Sequence, residues 1–199
     1  MLTVTVNIHI AVLLWYFPMP QAVRYSGEGA GWSAFVFGFY GVLHHENCFW
    51  HPRRGAYLVA PSGYTLFQHV HLLESLLEPF PTIQIVLSTS WLRRYGYSWT
   101  AKRLSPKLRA RVIGATFHTK MDERYFTNLP RGQQVYEDVL RRKPLAWEAL
   151  DDNTEGWPDE CLENFVRTHE QDGIADAETL ARLVERLRWL GSAGIKSNF

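Results

Sequence analysis

Ile83-Gln84-Ile85-Val86-Leu87-Ser88-Thr89-Ser90-Trp91 is an apolar run that begins after Pro79 and Pro81 and ends in three hydroxyl side chains. Two prolines stop a preceding helix, and a short continuous aliphatic run reads as a strand buried on both faces. Just upstream, Leu66, Val70, Leu73, Leu76 and Leu77 share one helical face over residues 65–77, which predicts a crossover helix. Further out, residues 34–40 form an earlier apolar run closed by Gly41, and 44–63 is an irregular stretch rich in Pro, Gly and aromatics. Downstream, 111–115 predicts a third short strand, and 132–142 a helix carrying Val135, Val139 and Leu140 before Pro144. A fourth strand over 145–150 runs directly into Asp151 and Asp152. A weaker strand is expected at 164–168, and 176–190 reads as an amphipathic helix with Leu180, Leu183, Val184 and Leu187 inward. Strands alternating with helices require a parallel sheet with crossovers, so the expected fold class is a three-layer, Rossmann-like α/β domain with about five strands.

The chain has 199 residues, 46% hydrophobic and 14% aromatic, which suits one α/β domain with a proper core. With 21 Lys and Arg against 20 Asp and Glu, no global field draws it to nucleic acid or membrane, so any such partner must be met locally. Cys48 and Cys161 form no C-x-x-C pair, and reduced thiols in a cytoplasmic protein are expected. The expected domain spans 34–190, with 191–199 as a tail and 1–33 as an extension of separate character. The apolar run at 8–17 is about half the length a membrane span requires, and the first basic residue is Arg24, unlike a secretory signal. Its alternation from Thr3 to Ile8 fits an added edge strand or an unpacked leader equally well.

In open α/β sheets ligands bind beyond the carboxyl ends of the strands, where strand order reverses. Those ends carry Gly38-Phe39-Tyr40-Gly41-Val42-Leu43, Ser88-Thr89-Ser90 and Asp151-Asp152. Each has a plain structural reading beside a functional one. Asp151 and Asp152 could cap a strand-to-loop turn, Ser88 to Ser90 could cap the next helix, and Arg131 could be a solvated first-turn residue. Trp91 reads as core. His44, His45 and His51 have a spacing open to a transition metal, with only Glu46 nearby as an acidic partner. The stretch holding Arg93, Arg94, Lys102, Arg103, Lys107, Arg109 and Arg111 has no acidic residue and is interleaved with Tyr95, Tyr97 and Trp99. That pattern suits either a solvated helix face or a single-stranded RNA contact through Arg93, Arg94, Lys102 and Arg103.

Taken together, the strand ends resemble the haloacid dehalogenase (HAD) superfamily, whose first strand ends in D-x-D-G-V-L, second in Ser or Thr, and fourth in an acidic pair. The motifs I-V-L-S-T-S-W, R-V-I-G-A-T and A-L-D-D are similar to those of the HAD domain in Swiss Army knife RNA-repair proteins. The resemblance covers about 155 residues and implies a small insertion after strand one. It implies phosphoryl transfer through an aspartyl-phosphate, with a second aspartate moving protons and Mg2+ neutralising charge. Carried over residue by residue, Ser88, Thr89 and Ser90 would bind phosphate, with Arg131 as the basic clamp or Lys120 or Lys102 in its place. Asp151 and Asp152, with the Tyr40 carbonyl, would hold the metal. The nucleophile position, however, is Gly38 and the acid/base position is Tyr40. Glycine offers no nucleophile, and a phenol titrates near pH 10. The expectation is a degenerate domain that binds Mg2+ and a phosphate ester, or a nucleic-acid end, with little turnover. An active phosphatase using another nucleophile or a metal-activated water, and a non-catalytic interaction domain, are the alternatives.

Overall fold

The computed structural model describes residues 32–193. The expectations for the leader, and for the tail beyond 193, fall outside the described residues. Five strands, β1 (Ser33–Phe37), β4 (Ile83–Leu87), β5 (Val112–Ala115), β6 (Ala146–Asp151) and β7 (Phe165–Arg167), form a parallel sheet in the order β5-β4-β1-β6-β7. A separate antiparallel hairpin pairs β2 (Cys48–His51) with β3 (Gly55–Leu58). The helices are α1 (Val70–Leu77), α2 (Trp91–Tyr95), α3 (Tyr97–Ala101), α4 (Pro106–Arg109), α5 (Glu123–Asn128), α6 (Arg131–Arg142) and α7 (Ala177–Ala193). No described helix is long and apolar enough to cross a membrane.

β1 is buried at every position because it lies mid-sheet with helices over both faces. Side chains alternate along a strand, so Ser33 and Val36 face opposite ways. Ser33 Oγ donates to Leu190 O on α7, while Val36 packs with Val135 and Val139 of α6. The two longest helices therefore cover opposite faces. Leu180, Leu183, Leu187 and Leu190 repeat at helical spacing and give α7 its buried stripe. Each fully buried leucine or phenylalanine of this core contributes about 1.5–3 kcal/mol.

Register brings the site together. Phe37 stands level with Leu87 on one side and Leu150 on the other, so the next residues, Gly38, Ser88 and Asp151, emerge side by side. Gly38 N–H donates to Leu150 O and Ser88 N–H to Phe37 O, at 3.2 and 2.9 Å.

Four expectations are corrected. The first strand stops at Phe37 rather than Tyr40, because the chain turns at once: Leu43 N–H bonds Phe39 O and Gly41 takes φ +55°. Helix α1 begins at Val70 rather than Thr65. Phe67 is left-handed, with φ 60°, and its ring packs among Phe39, His44 and Trp91. The stretch read as irregular contains the β2–β3 hairpin, which is the small insertion expected after strand one. Leu140, grouped with the apolar residues of α6, is exposed.

Arg111 shows how a basic residue can be wholly structural. Its guanidinium donates to Leu77 O at 2.8 Å, to Ile83 O at 2.7 and 3.0 Å and to Phe80 O, tying the end of α1 to the start of β4. Removing it takes the guanidinium donor from all three carbonyls; Leu77 O and Phe80 O keep the backbone N–H of Phe80 and Ile83, so the cost is that of charge-assisted hydrogen bonds, about 1.5–3 kcal/mol each. An Arg111→Leu variant is expected to lose at least about 2 kcal/mol in urea unfolding. An unchanged midpoint would show these bonds to be replaceable by water.

Candidate functional site

A cavity of about 460 Å³ opens beyond the carboxyl ends of β1, β4, β5 and β6, lined among others by Tyr40, Thr89, Ser90, Thr116, Arg131 and Asp151. Helix α6 delivers Arg131 into it. The start of that helix lies so close to Trp157 that a Cβ on Gly132 would sit 2.5 Å from the Trp157 backbone. Gly132 N–H also donates to Glu155 O at 2.9 Å. The first turn of α6 is thereby fixed, and Arg131 with it.

Arg131 is the centre of the arrangement. Its Nε and Nη2 reach Asp151 Oδ2 at 2.8 and 2.7 Å, and Nη2 also donates to Ser88 O. Nη1 has no hydrogen-bond partner among the described residues. Asp151 is buried, and its other oxygen accepts Asn153 N–H at 3.2 Å. An ideal Cβ on Gly38 would lie 2.8 Å from Asp151 Oδ2 and 3.0 Å from Arg131 Nη2. The space that a side chain at position 38 would enter is thus held by the Arg131–Asp151 pair.

Thr89 and Ser90 line the cavity, whereas Ser88 does not; its buried hydroxyl bonds Thr116 Oγ1 at 3.3 Å and its carbonyl steadies Arg131. Thr89 Oγ1 also accepts Trp91 N–H at 3.4 Å, so capping and cavity lining coexist. Lys120 and Lys102 are exposed and outside the cavity lining; the basic groups the fold brings in are Arg131 and, at the wall, Arg93. Sequence reasoning passed over Asn128, the last residue of α5, and Gln134, in the first turn of α6, which flank the loop between these helices and line the cavity. Gln134 holds that loop by donating to Phe126 O and Leu129 O at 3.2 and 2.9 Å.

Tyr40 stands where α2 meets the cavity, its ring 5.7 Å from His44 and 6.3 Å from Trp91. Burial raises its phenol above the ordinary value, so it keeps its proton at neutral pH. His44 is fully buried with both ring nitrogens unpartnered, and burial pulls it down to about 4, a neutral ring in an aromatic box. His45 is buried against Tyr64, and His51 lies exposed on the hairpin. Trp91 is core, as expected.

Asp152 lines the same cavity, and burial, then repulsion from Asp151, pushes it up to about 7. These residues do not fit Mg2+ as the side chains stand. A hard divalent cation is anchored by ionised carboxylates. Here Asp151 is already paired with Arg131, and position 38 offers no oxygen. Among the described residues no group of three His, Cys, Asp or Glu is arranged to hold a metal ion. Of the Asp151, Asp152 and Tyr40 set expected from the resemblance, the leading carboxylate, Asp151, is engaged by Arg131 in this structure.

A parallel sheet reversing its order at β1, with hydroxyls, an arginine and an acidic pair at adjacent strand ends, defines a Rossmann-like α/β domain with its crevice at those ends. Residues 39–179 match the family described as the HAD domain in Swiss Army Knife RNA repair proteins, and the chain belongs to that family. The match begins one residue after Gly38. No curated protein and no solved structure matches the chain.

Proposed function

We propose that the chain is a degenerate HAD phosphohydrolase domain that binds a phosphate ester in the cavity of Thr89, Ser90 and Arg131 without turning it over. An RNA end is the ester its family points to. One observation carries this reading: the space a nucleophile at position 38 would enter is filled by the Arg131–Asp151 pair. The hydroxyls and the unpartnered Nη1 of Arg131 are suitable donors to phosphoryl oxygens. Neither Gly38 nor the protonated Tyr40 phenol supplies a nucleophile or a base. Partial protonation of Asp152 near neutrality lowers the negative charge an anion meets on entry.

Calorimetric titration with phenyl phosphate in the presence of a chelator tests this. One saturable site is expected, weakened about tenfold or more by Arg131→Met, since charge-assisted hydrogen bonds to a phosphoryl group are of that order. Lys120→Ala and Lys102→Ala leave it unchanged. Equal affinity of the natural chain and Arg131→Met would reject the site.

A further inference from the structure

A second cavity, of about 430 Å³, lies between the β2–β3 hairpin and α2 and is lined by Tyr40, Phe49, Trp50, Arg93, Arg94 and Tyr95, with Glu123 beside them. Phe49 and Trp50 are 50% and 41% exposed, large rings on a two-stranded insert that has no apolar layer of its own to enter. Arg94 lies over the Trp50 ring, its guanidinium carbon 3.5 Å from the centroid. Arg93 is held by Thr127 Oγ1 at 2.8 Å, and neither arginine makes an ion pair among the described residues. The two cavities share Tyr40, Ser90 and Arg93 as a common wall.

We infer that this second cavity is a nucleobase subsite, so that the phosphate ester is the terminal nucleotide of a single strand. The base stacks beside Trp50 and Arg94 while its phosphate lies across Arg93 in the Arg131 cavity; Phe49, next to Trp50 on the strand, turns its ring to Tyr57 on the other face of the hairpin. The inference rests on the phosphate-binding reading above and deepens it. A half-exposed indole stacked with a planar guanidinium offers a base a second π or cationic surface to stack on, whatever the base identity. A concavity of this size accepts a small-molecule group rather than a flat surface. Adjoining cavities, one stacking and one anion-binding, match a ligand in which one sugar joins a base to a phosphate. Tyr40 then has a use: where an acid/base carboxylate is absent, its ring forms part of the wall between base and phosphate.

The test compares 5′-AMP and 3′-AMP with ribose 5-phosphate, titrated into the natural chain, Trp50→Ala, Trp50→Phe and Phe49→Ala. At least one AMP is expected to bind about tenfold or more tightly than ribose 5-phosphate. That advantage disappears in Trp50→Ala, survives in Trp50→Phe and is unchanged in Phe49→Ala, since the Phe49 ring lies on the other face of the hairpin, while ribose 5-phosphate affinity stays constant throughout. If the sugar phosphate and both nucleotides bind equally to the natural chain, the base subsite is overturned and the phosphate site stands. If none of them binds, both readings fall. Because the comparison is made first on the natural chain, a variant that misfolds does not shield the inference.

Discussion

A Gly38→Asp, Tyr40→Asp double variant is expected to hydrolyse a generic aryl phosphate in buffer containing Mg2+, where the natural chain is silent. Loss of a nucleophile that acts in concert with its partners commonly costs on the order of a million-fold, and loss of acid-base help about 100 to 10,000-fold. The return should therefore exceed about a thousand-fold over background. The structure says what the change must displace. The new Cβ at position 38 meets Asp151 Oδ2 and Arg131 Nη2, both ends of side chains and not backbone. Arg131 can follow the new carboxylate, which releases Asp151 from its pair. The Gly38→Asp change alone should restore less, because Tyr40 remains a protonated phenol. A silent double variant that still binds phenyl phosphate would mean that the scaffold around the seat has also drifted.

The second large effect concerns Glu148, fully buried mid-strand in β6, whose carboxylate accepts from Arg186 Nε and Nη2 of α7, both at 2.8 Å. Burial pushes Glu148 from 4.5 up to about 7 even with Arg186 opposing the shift. The folded chain thus binds this proton more tightly than the unfolded chain. Its contribution is fully present below about pH 4.5 and is lost as pH rises to about 7. Removing Arg186 leaves the buried charge without its partner, which costs about 3–5 kcal/mol where the carboxylate is ionised. Arg186→Leu should therefore cost about 3 kcal/mol at pH 8 and distinctly less at pH 5.5, read by urea unfolding. Glu148→Gln should flatten the decline between those pH values. An Arg186→Leu penalty equal at both pH values would show that Glu148 stays ionised throughout.

The strand ends were legible because a buried parallel strand announces itself locally. Residues 83–87 form a strand at the expected bounds, and Asp151 and Ser88 emerge beside Gly38 as strand alignment required. The pairing of Arg131 with Asp151 was not legible, since the two stand 20 residues apart and only the docking of α6 against Trp157 brings them together. The hairpin was missed because its strands are four residues each, half exposed, and lack a buried face to impose alternation. The signal available was two aromatic-bearing runs separated by Pro52-Arg53-Arg54. The basic stretch was legible as charge but not as placement. Read as one surface, it is broken by α2, α3 and α4, which send its charges in separate directions. Arg111 turns inward, Lys107 pairs with Glu74 and Glu78, Arg103 covers Trp99, and Arg93 and Arg94 reach the second cavity.

The most direct test of a phosphate-ester site without a nucleophile is phosphorus NMR of phenyl phosphate held with an equal concentration of the natural protein and Mg2+ for many hours. The account predicts a shifted or broadened ester resonance that returns to its free position in Arg131→Met, with no inorganic phosphate formed. Accumulation of inorganic phosphate that Asp151→Ala abolishes would contradict it, since a group other than position 38 would then be performing the displacement.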